Sequence, residues 1–212
     1  MTMLNRRLLP VVVLEEAGWA LPLADALLAG GLDIVEITLR TDAALDGIRQ
    51  LRAAHPRLRI GAGTVIDADI VPQLVDLGVD FAVAPGLGTA VIEATLRVDM
   101  PLFAGIANPT DIETARAFGL RTLKFFPAEP LGGAKMLKAL IGPYRHTGLR
   151  FIPTGGIDLG NAGGYAALPE VAAIGGSWFV TTDLMRAGRW DEIATRTRAA
   201  IAIMSGGESG PG

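Results

Sequence analysis

The strongest constraint on the fold is a regular alternation of strand-like and helix-like segments along almost the whole chain. Eight apolar segments begin at intervals of about 20 to 28 residues, and a helical pattern follows each of them. The predicted strands are 8–14, 34–40, 59–65, 81–86, 101–106, 122–128, 150–156 and 172–178. This order predicts a single-domain α/β protein, a (β/α)8 TIM barrel, over residues 1–204. An open doubly wound sheet is the second interpretation, although no GxGxxG sequence follows the first strand.

Composition narrows the possible functions. The 212 residues carry a net charge of −3 and no basic stripe, which argues against nucleic acid as a partner. The apolar runs are too short to span a bilayer and the first residues form a poor signal peptide, so we expect no membrane partner and a cytoplasmic location. We expect the Gly- and Ser-rich segment 205–212 to be a disordered tail.

Cysteine and histidine usage limits the chemistry. The chain has no cysteine, which excludes disulfides and thiolate nucleophiles. Its two histidines, His55 and His146, lie away from the predicted strand ends, so a zinc site with several imidazoles is not available. A Mg²⁺ site built from oxygen ligands alone stays open, but no clustered carboxylate motif favours one. We therefore expect neither a metal nor a cofactor.

Lys124 is the most unusual residue of the predicted strands. The 19 basic residues include only three lysines, and the other two, Lys135 and Lys138, fit the exposed face of one helix. Lys124 stands among apolar residues in TLKFFPA, where an unpaired ammonium is costly. The usual explanation is a buried stem whose charged end reaches water. The alternative is a lysine that loses its proton and becomes a nucleophile, a role that arginine cannot fill.

The second predicted strand carries an unexpected carboxylate. The period of two places Glu36, Thr38 and Arg40 on one face. Both faces of a strand in a parallel barrel are covered, so an acidic residue between Val35 and Ile37 is out of place. An internal ion pair between Glu36 and Arg40 is one explanation, and a catalytic carboxylate is the other.

Polar residues and glycines gather at the carboxyl ends of the predicted strands, where such barrels keep their active sites. Thr64 is expected in a helix N-cap region or at a ligand, and Pro85 marks a turn. The glycine pairs 155–156 and 175–176 end the last two strands, which is the usual phosphate site of these barrels. Flexible turns are the alternative. Ser177 can add a hydroxyl donor to such a site.

Six motifs taken together resemble one enzyme family. VEITLRT, GAGTV, APGL, KFFPAE, PTGGI and GGSW occur here in the same order as in the 2-keto-3-deoxy-6-phosphogluconate (KDPG) aldolases, which also cleave 4-hydroxy-2-oxoglutarate (KHG). The resemblance covers about residues 8–200. It implies a (β/α)8 barrel, usually a homotrimer, that acts on a phosphorylated keto acid without a cofactor. The sequences GIANPTD, at 105–111, and VTTD, at 180–183, look less typical of the family.

The resemblance also implies roles for single residues. Lys124 is implied as the Schiff-base lysine and Glu36 as the general acid and base. The implied substrate contacts are Arg40 and Thr64 at the pyruvate carboxylate, Pro85 and Phe126 on the pocket wall, and Thr154, Gly155, Gly156 and Ser177 near the distal hydroxyls and phosphate.

Three other functions stay open at this point. One is an aldolase for the galactonate epimer, although that branch resembles the chain less and carries Val at the position of Thr154. The second is a phosphate-binding isomerase or decarboxylase that uses Lys124 as an acid and base without a covalent bond. The third is a non-catalytic phosphosugar-binding barrel, which would not need Lys124 and Glu36 together in an apolar interior.

Overall fold

Nine short strand segments, all paired in parallel, form the centre of the molecule. The structure is a computed structural model and describes residues 4–206. The strands are β1 (Leu8–Val12), β2 (Ile34–Thr38), β3 (Arg59–Gly63), β4 (Phe81–Val83), β5 (Leu102–Phe103), β6 (Gly105–Ile106), β7 (Thr122–Phe125), β8 (Arg150–Pro153) and β9 (Ile174–Gly176).

Helices follow the strands along the chain. They are α1 (Ala20–Ala29), α2 (Ala43–Ala54), α3 (Val71–Asp76), α4 (Thr89–Arg97), α5 (Pro109–Ala117), α6 (Gly133–Ile141), α7 (Ala162–Ala166), α8 (Thr182–Arg186) and α9 (Trp190–Gly206). The short helix α8 was not anticipated from the sequence pattern. Helix α9 reaches Gly206, two residues into the segment 205–212 that is expected to be a disordered tail, and the rest of that segment lies outside the described residues.

The strands close into a barrel. Strands β5, β4, β3, β2, β1 and β9 form one sheet in that order, and β6, β7 and β8 form a second. Segments β5 and β6 belong to one strand interrupted at Ala104, whose carbonyl accepts a hydrogen bond from the Lys124 N–H at 2.8 Å. A parallel bridge between Thr154 and Gly175 joins β8 to β9 and closes the ring. With β5 and β6 counted together, the described residues form eight barrel strands, which confirms the predicted (β/α)8 fold.

The predicted strands run too far at their carboxyl ends. The second was expected over 34–40, but its ladder ends at Thr38. The apolar pattern continues past the last ladder hydrogen bond because loop residues at the mouth of the barrel also pack against it. The pattern alone therefore does not separate strand residues from loop residues. As a result, several expected site residues lie just beyond the strands, namely Arg40, Thr64, Pro85, Phe126 and Ser177.

Glycine in β3 makes room for an aromatic side chain of the next strand. A Cβ added at Gly61 would lie 2.2 Å from the Phe81 ring. Phe81 is fully buried, and its ring centroid lies 5.3 Å from that of Phe103. Gly61 therefore permits close packing of the barrel wall.

We predict that Gly61→Ala destabilises the protein by about 1–3 kcal/mol, because the added methyl overpacks a rigid aromatic contact. Urea unfolding measures the change. Gly18→Ala is the control, since a Cβ there meets nothing within 4 Å. In the double variant Gly61→Ala/Phe81→Leu, the losses in free energy of unfolding should not add, because the smaller leucine side chain relieves the clash. Equal stability of the Gly61→Ala and Gly18→Ala variants would contradict this account.

Candidate active site

A buried amine and a buried carboxylate meet inside the barrel. Lys124 on β7 and Glu36 on β2 come from opposite sides of the eight-stranded ring. The Lys124 Nζ atom lies 3.5 Å from Glu36 Oε1, and the two side chains are 7% and 1% exposed. The contact is an ion pair and not a well-formed hydrogen bond, since neither carboxylate oxygen has a hydrogen-bond partner among the described residues. Both oxygens are thus free to accept a proton from a bound molecule.

Glu36 does not pair with Arg40, so that interpretation of the second strand is wrong. Arg40 follows the end of β2 and is exposed, because the chain turns away from the barrel after Thr38. Its Nε atom donates to Thr38 Oγ1 at 3.2 Å, and Thr38 Oγ1 donates to the Val12 carbonyl at 2.9 Å. The buried hydroxyl of Thr38 therefore ties Arg40 to the mouth of the barrel.

The burial of Glu36 disfavours its charged form. Burial raises the pKa of this carboxyl above its usual value of 4.5, and the charge of Lys124, followed by that of Arg40, opposes the rise. A raised pKa makes this carboxylate a stronger base, which suits a group that takes a proton and later returns it.

Gly63 provides the space that Glu36 occupies. A Cβ added at Gly63 would lie 2.2 Å from Glu36 Oε1 and 2.7 Å from its Cγ. The two residues are on neighbouring strands, and any larger residue on β3 would displace the carboxylate from Lys124. Sequence reasoning did not assign Gly63 to the site, although a glycine inside a strand is the signal that identifies such a close approach.

Phe126 is the aromatic side chain beside the amine. Its ring centroid lies 5.2 Å from Lys124 Nζ. Leu123 and Phe125 are fully buried, and the alternation of a strand turns them to the face opposite Lys124. One aromatic ring therefore flanks the amine, whereas the sequence TLKFF suggested apolar groups on several sides of it.

Thr64 has a strained backbone at the end of β3. Its φ angle is 60°, in the left-handed region that β-branched residues rarely adopt. Thr64 does not itself cap a helix, because the N-cap of the next helical turn, Ala68–Ile70, is Asp67. Backbone strain of this kind costs about 1–3 kcal/mol and clusters at functional sites.

The segment after β8 lies against the segment after β7. Thr154 is 6% exposed, and a Cβ added at Gly175 would lie 2.2 Å from its Oγ1 atom. Gly155 and Gly156 have φ angles of 103° and 76°, a conformation that requires glycine. A Cβ added at Gly155 would lie 3.3 Å from the Phe126 ring. The glycine pair and the lysine strand therefore belong to one site.

The remaining expected residues surround the mouth of the barrel. Arg40 and the exposed Ser177 line one cavity, together with Thr181. Thr64, expected with Arg40 at the carboxylate, lines a second cavity together with Leu39 and Thr41. Pro85 is half-buried, and its carbonyl packs closely on Gly105.

Neither a group of metal ligands nor a membrane-spanning helix occurs among residues 4–206, which the structure describes. No three His, Asp or Glu side chains are grouped so as to hold a metal ion. No helix in this part of the chain is long and apolar enough to cross a membrane.

Comparison with known proteins identifies the family. The family model described as "Aldolase: KDPG and KHG aldolase" matches residues 1–196. The chain belongs to the KDPG and KHG aldolase family. The 2-dehydro-3-deoxy-phosphogluconate aldolase of Haemophilus influenzae is 45% identical over 198 residues, which cover 93% of this chain and 92% of that protein. The KHG/KDPG aldolase of Escherichia coli K12 is 40% identical and covers 91% and 89% of the two chains.

A solved structure of the same family is also similar. The KDPG aldolase of Legionella pneumophila aligns with a TM-score of 0.88 and 38% identity, over 92% of this chain and 93% of that one. That structure contains pyruvate captured at low pH as a covalent carbinolamine intermediate. The resemblance found from six motifs is confirmed by these comparisons.

We predict that Lys124→Met makes the aldolase lose stability relative to the wild type as the pH rises above the folded-state pKa of Glu36, which is higher than 4.5. The folded-state pKa of Glu36 is already raised, so the stability linked to this carboxyl is fully present below 4.5 and is lost as the pH rises through the folded pKa. Removing the ammonium raises that pKa further, and each added pKa unit costs about 1.4 kcal/mol at higher pH.

Urea unfolding at a series of pH values between about 4 and 8 measures this difference. Lys138→Met on the surface of α6 is the control, and its stability difference from the wild type should not change with pH in this way. If the free energy of unfolding varied with pH in the same way in Lys124→Met and in the wild type, the charges of Lys124 and Glu36 would not be coupled.

Proposed function

We propose that this protein cleaves KDPG to pyruvate and glyceraldehyde 3-phosphate through a Schiff base on Lys124, and that it also cleaves KHG to pyruvate and glyoxylate. Its family membership makes it an aldolase and therefore a carbon–carbon lyase. The observation that carries the proposal is the buried pair of Lys124 and Glu36, 3.5 Å apart inside the barrel. The carbinolamine in the Legionella pneumophila relative supports it, because a carbinolamine is the adduct of an amine and a carbonyl.

The amine of Lys124 supplies the electron sink. The neutral amine attacks the C2 ketone, and loss of water converts the carbinolamine into a protonated imine. The C3–C4 bond then breaks, its electron pair moves into the imine to form an enamine, and the aldehyde leaves. Protonation of the enamine at C3 and hydrolysis of the imine release pyruvate and restore the amine.

Glu36 moves the protons in this scheme. It takes the proton of the C4 hydroxyl as the carbon–carbon bond breaks, directly or through water, and it later returns a proton to C3 of the enamine. Its position beside the amine, its two free oxygens and its raised pKa support this role. A positioned general base contributes about 10²–10⁴-fold to the rate.

The two ends of the substrate are held by different groups. We assign the carboxylate to Arg40 and Thr64, and the pocket wall to Pro85 and Phe126. The distal hydroxyls and the phosphate are assigned to Thr154, Gly155, Gly156 and Ser177. The backbone N–H groups of Gly155 and Gly156 support the second assignment, because neither has an acceptor among the described residues.

The alternatives are not favoured. Both relatives compared above carry the names of gluconate-derived or hydroxyoxoglutarate aldolases, and neither is named for the galactonate epimer. The family model is described as one of KDPG and KHG aldolases, which gives no support to an isomerase, a decarboxylase or a non-catalytic barrel. That the enzyme is a homotrimer stays a prediction from the resemblance, and that it acts in the cytoplasm stays a prediction from the sequence. Sedimentation equilibrium tests the first part, with an expected mass three times the 22.1 kDa of the chain.

We predict that Lys124→Arg abolishes cleavage of both substrates, although the positive charge is kept, because a guanidinium is never neutral in proteins. A coupled assay of pyruvate release from KDPG and from KHG measures the loss. Lys138→Arg on α6 should keep full activity. Activity in the Lys124→Arg variant would remove the covalent mechanism and favour the acid–base alternative.

We predict that Ser177→Ala weakens only the phosphorylated substrate. The lost hydroxyl should lower kcat/KM for KDPG by about fivefold, which corresponds to a hydrogen bond worth about 1 kcal/mol. KHG has no phosphate, so its kcat/KM should not change. Equal losses on the two substrates would make Ser177 a structural residue.

A further inference from the structure

Glu129, the last residue of KFFPAE, has no part in the proposed chemistry. It lies beyond β7 on the way to α6 and is half-buried. Its Oε1 atom accepts a hydrogen bond from the hydroxyl of Tyr165. Tyr165 lies on α7 and is completely buried, so the acceptor cannot be replaced by bulk water.

Glu129 lies directly against the glycine pair. A Cβ added at Gly156 would lie 2.8 Å from the Glu129 Cβ and 3.1 Å from its Cγ. The backbone N–H of Glu129 donates to the Gly155 carbonyl at 3.0 Å, and that of Ala128 donates to the Thr154 carbonyl at 2.8 Å. These contacts join the loop after the lysine strand to the segment 154–156, beyond the end of the β7–β8 ladder.

The tyrosine is a permanent donor in this contact. Burial, followed by the hydrogen bond to Glu129 and its negative charge, raises the pKa of the Tyr165 hydroxyl well above its usual value of 10.0. A hydrogen bond to a charged acceptor is stronger than a neutral one. The Tyr165 ring is fixed by the core, so the hydroxyl holds the Glu129 side chain in one place.

We infer that the hydrogen bond between Tyr165 and Glu129 positions the Gly155–Gly156 backbone to receive the phosphate of the substrate. This inference rests on the proposed function, which assigns that backbone to the phosphate. With the bond intact, Glu129 packs on Gly156 and keeps its negative charge turned toward Tyr165. Without it, the glycine pair loses its support and the carboxylate can turn toward an anionic ligand. Glu129 and Tyr165 are positioning residues, because neither contacts the reacting atoms.

Tyr165→Phe tests the inference, since it removes the hydroxyl and keeps the ring. We expect KM for KDPG to rise roughly three- to tenfold, the factor that corresponds to one net hydrogen bond. The kcat for KDPG and both constants for KHG should stay close to wild type. Tyr144→Phe is the matched control, because the Tyr144 hydroxyl donates to another carboxylate, Glu113, at 3.0 Å on a different part of the surface.

Variants of the acceptor complete the experiment. Glu129→Gln retains an acceptor for Tyr165 and should keep KM within about twofold of wild type, whereas Glu129→Met should raise it as Tyr165→Phe does. The double variant Glu129→Met/Tyr165→Phe should show no further rise, because both changes remove the same bond. An unchanged KM in Tyr165→Phe, or equal losses on KDPG and KHG, would overturn the inference.

A separate measurement distinguishes this inference from the proposed function. Exchange of the methyl protons of pyruvate with solvent needs Lys124 and Glu36 but no phosphate site. We expect Tyr165→Phe to exchange at the wild-type rate. Absence of exchange in the wild type would overturn the proposed function, whereas slowed exchange only in Tyr165→Phe would make Tyr165 a structural residue and overturn the positioning role.

Discussion

The ion pair between Lys124 and Glu36 is the interaction on which the rest of the site depends. Moving two charges out of water costs several kcal/mol for each ion, and their attraction offsets that cost only when the geometry is good. Here the separation is 3.5 Å and the carboxylate oxygens have no other partner among the described residues. A pair of this kind is poor evidence for stability. It is instead what the proposed chemistry needs, namely an amine and a carboxylate held side by side in an apolar interior.

The barrel supplies the rigidity that such a pair requires. Lys124 and Glu36 are anchored in the middle of β7 and β2, where ladder hydrogen bonds fix the backbone on both sides. Gly63 leaves the space for the carboxylate, and Gly175 leaves the space for Thr154. The groups assigned to the substrate lie on the loops beyond the strands. The rigid barrel next to these loops maintains the strained backbone of Thr64.

The alternation of strands and helices was enough to predict the fold, because each βα unit carries its own hydrophobic pattern. It was not enough to predict where the strands end, since apolar loop residues such as Leu39 pack on the core as strand residues do. The period of two predicted that Arg40 lies on the same face as Glu36. This was wrong because the period holds only as far as the strand continues. The approach of Lys124 to Glu36 depends on the closure of the ring across the barrel, which no local pattern reveals.

The glycines are a second case in which the sequence predicts a contact but not its partner. A glycine inside a strand, such as Gly61 or Gly63, signals a close approach, but which atoms approach it depends on the neighbouring strands. The sequence does not reveal the role of Glu129, because its partner, Tyr165, lies 36 residues away on the short helix α7. By contrast, the lysine was found from the sequence because a charge inside an apolar strand conflicts with its surroundings at once.

The most direct test of the central claim is reduction of the protein with borohydride in the presence of pyruvate, followed by peptide mapping. If Lys124 forms an imine, reduction gives a stable secondary amine, the enzyme loses activity, and the added mass lies on Lys124 while Lys135 and Lys138 stay unmodified. The selectivity follows from position, because Lys124 is buried beside Glu36 and the other two lie on α6. An enzyme that stays active and unlabelled, or a label on Lys135 or Lys138, would contradict the account.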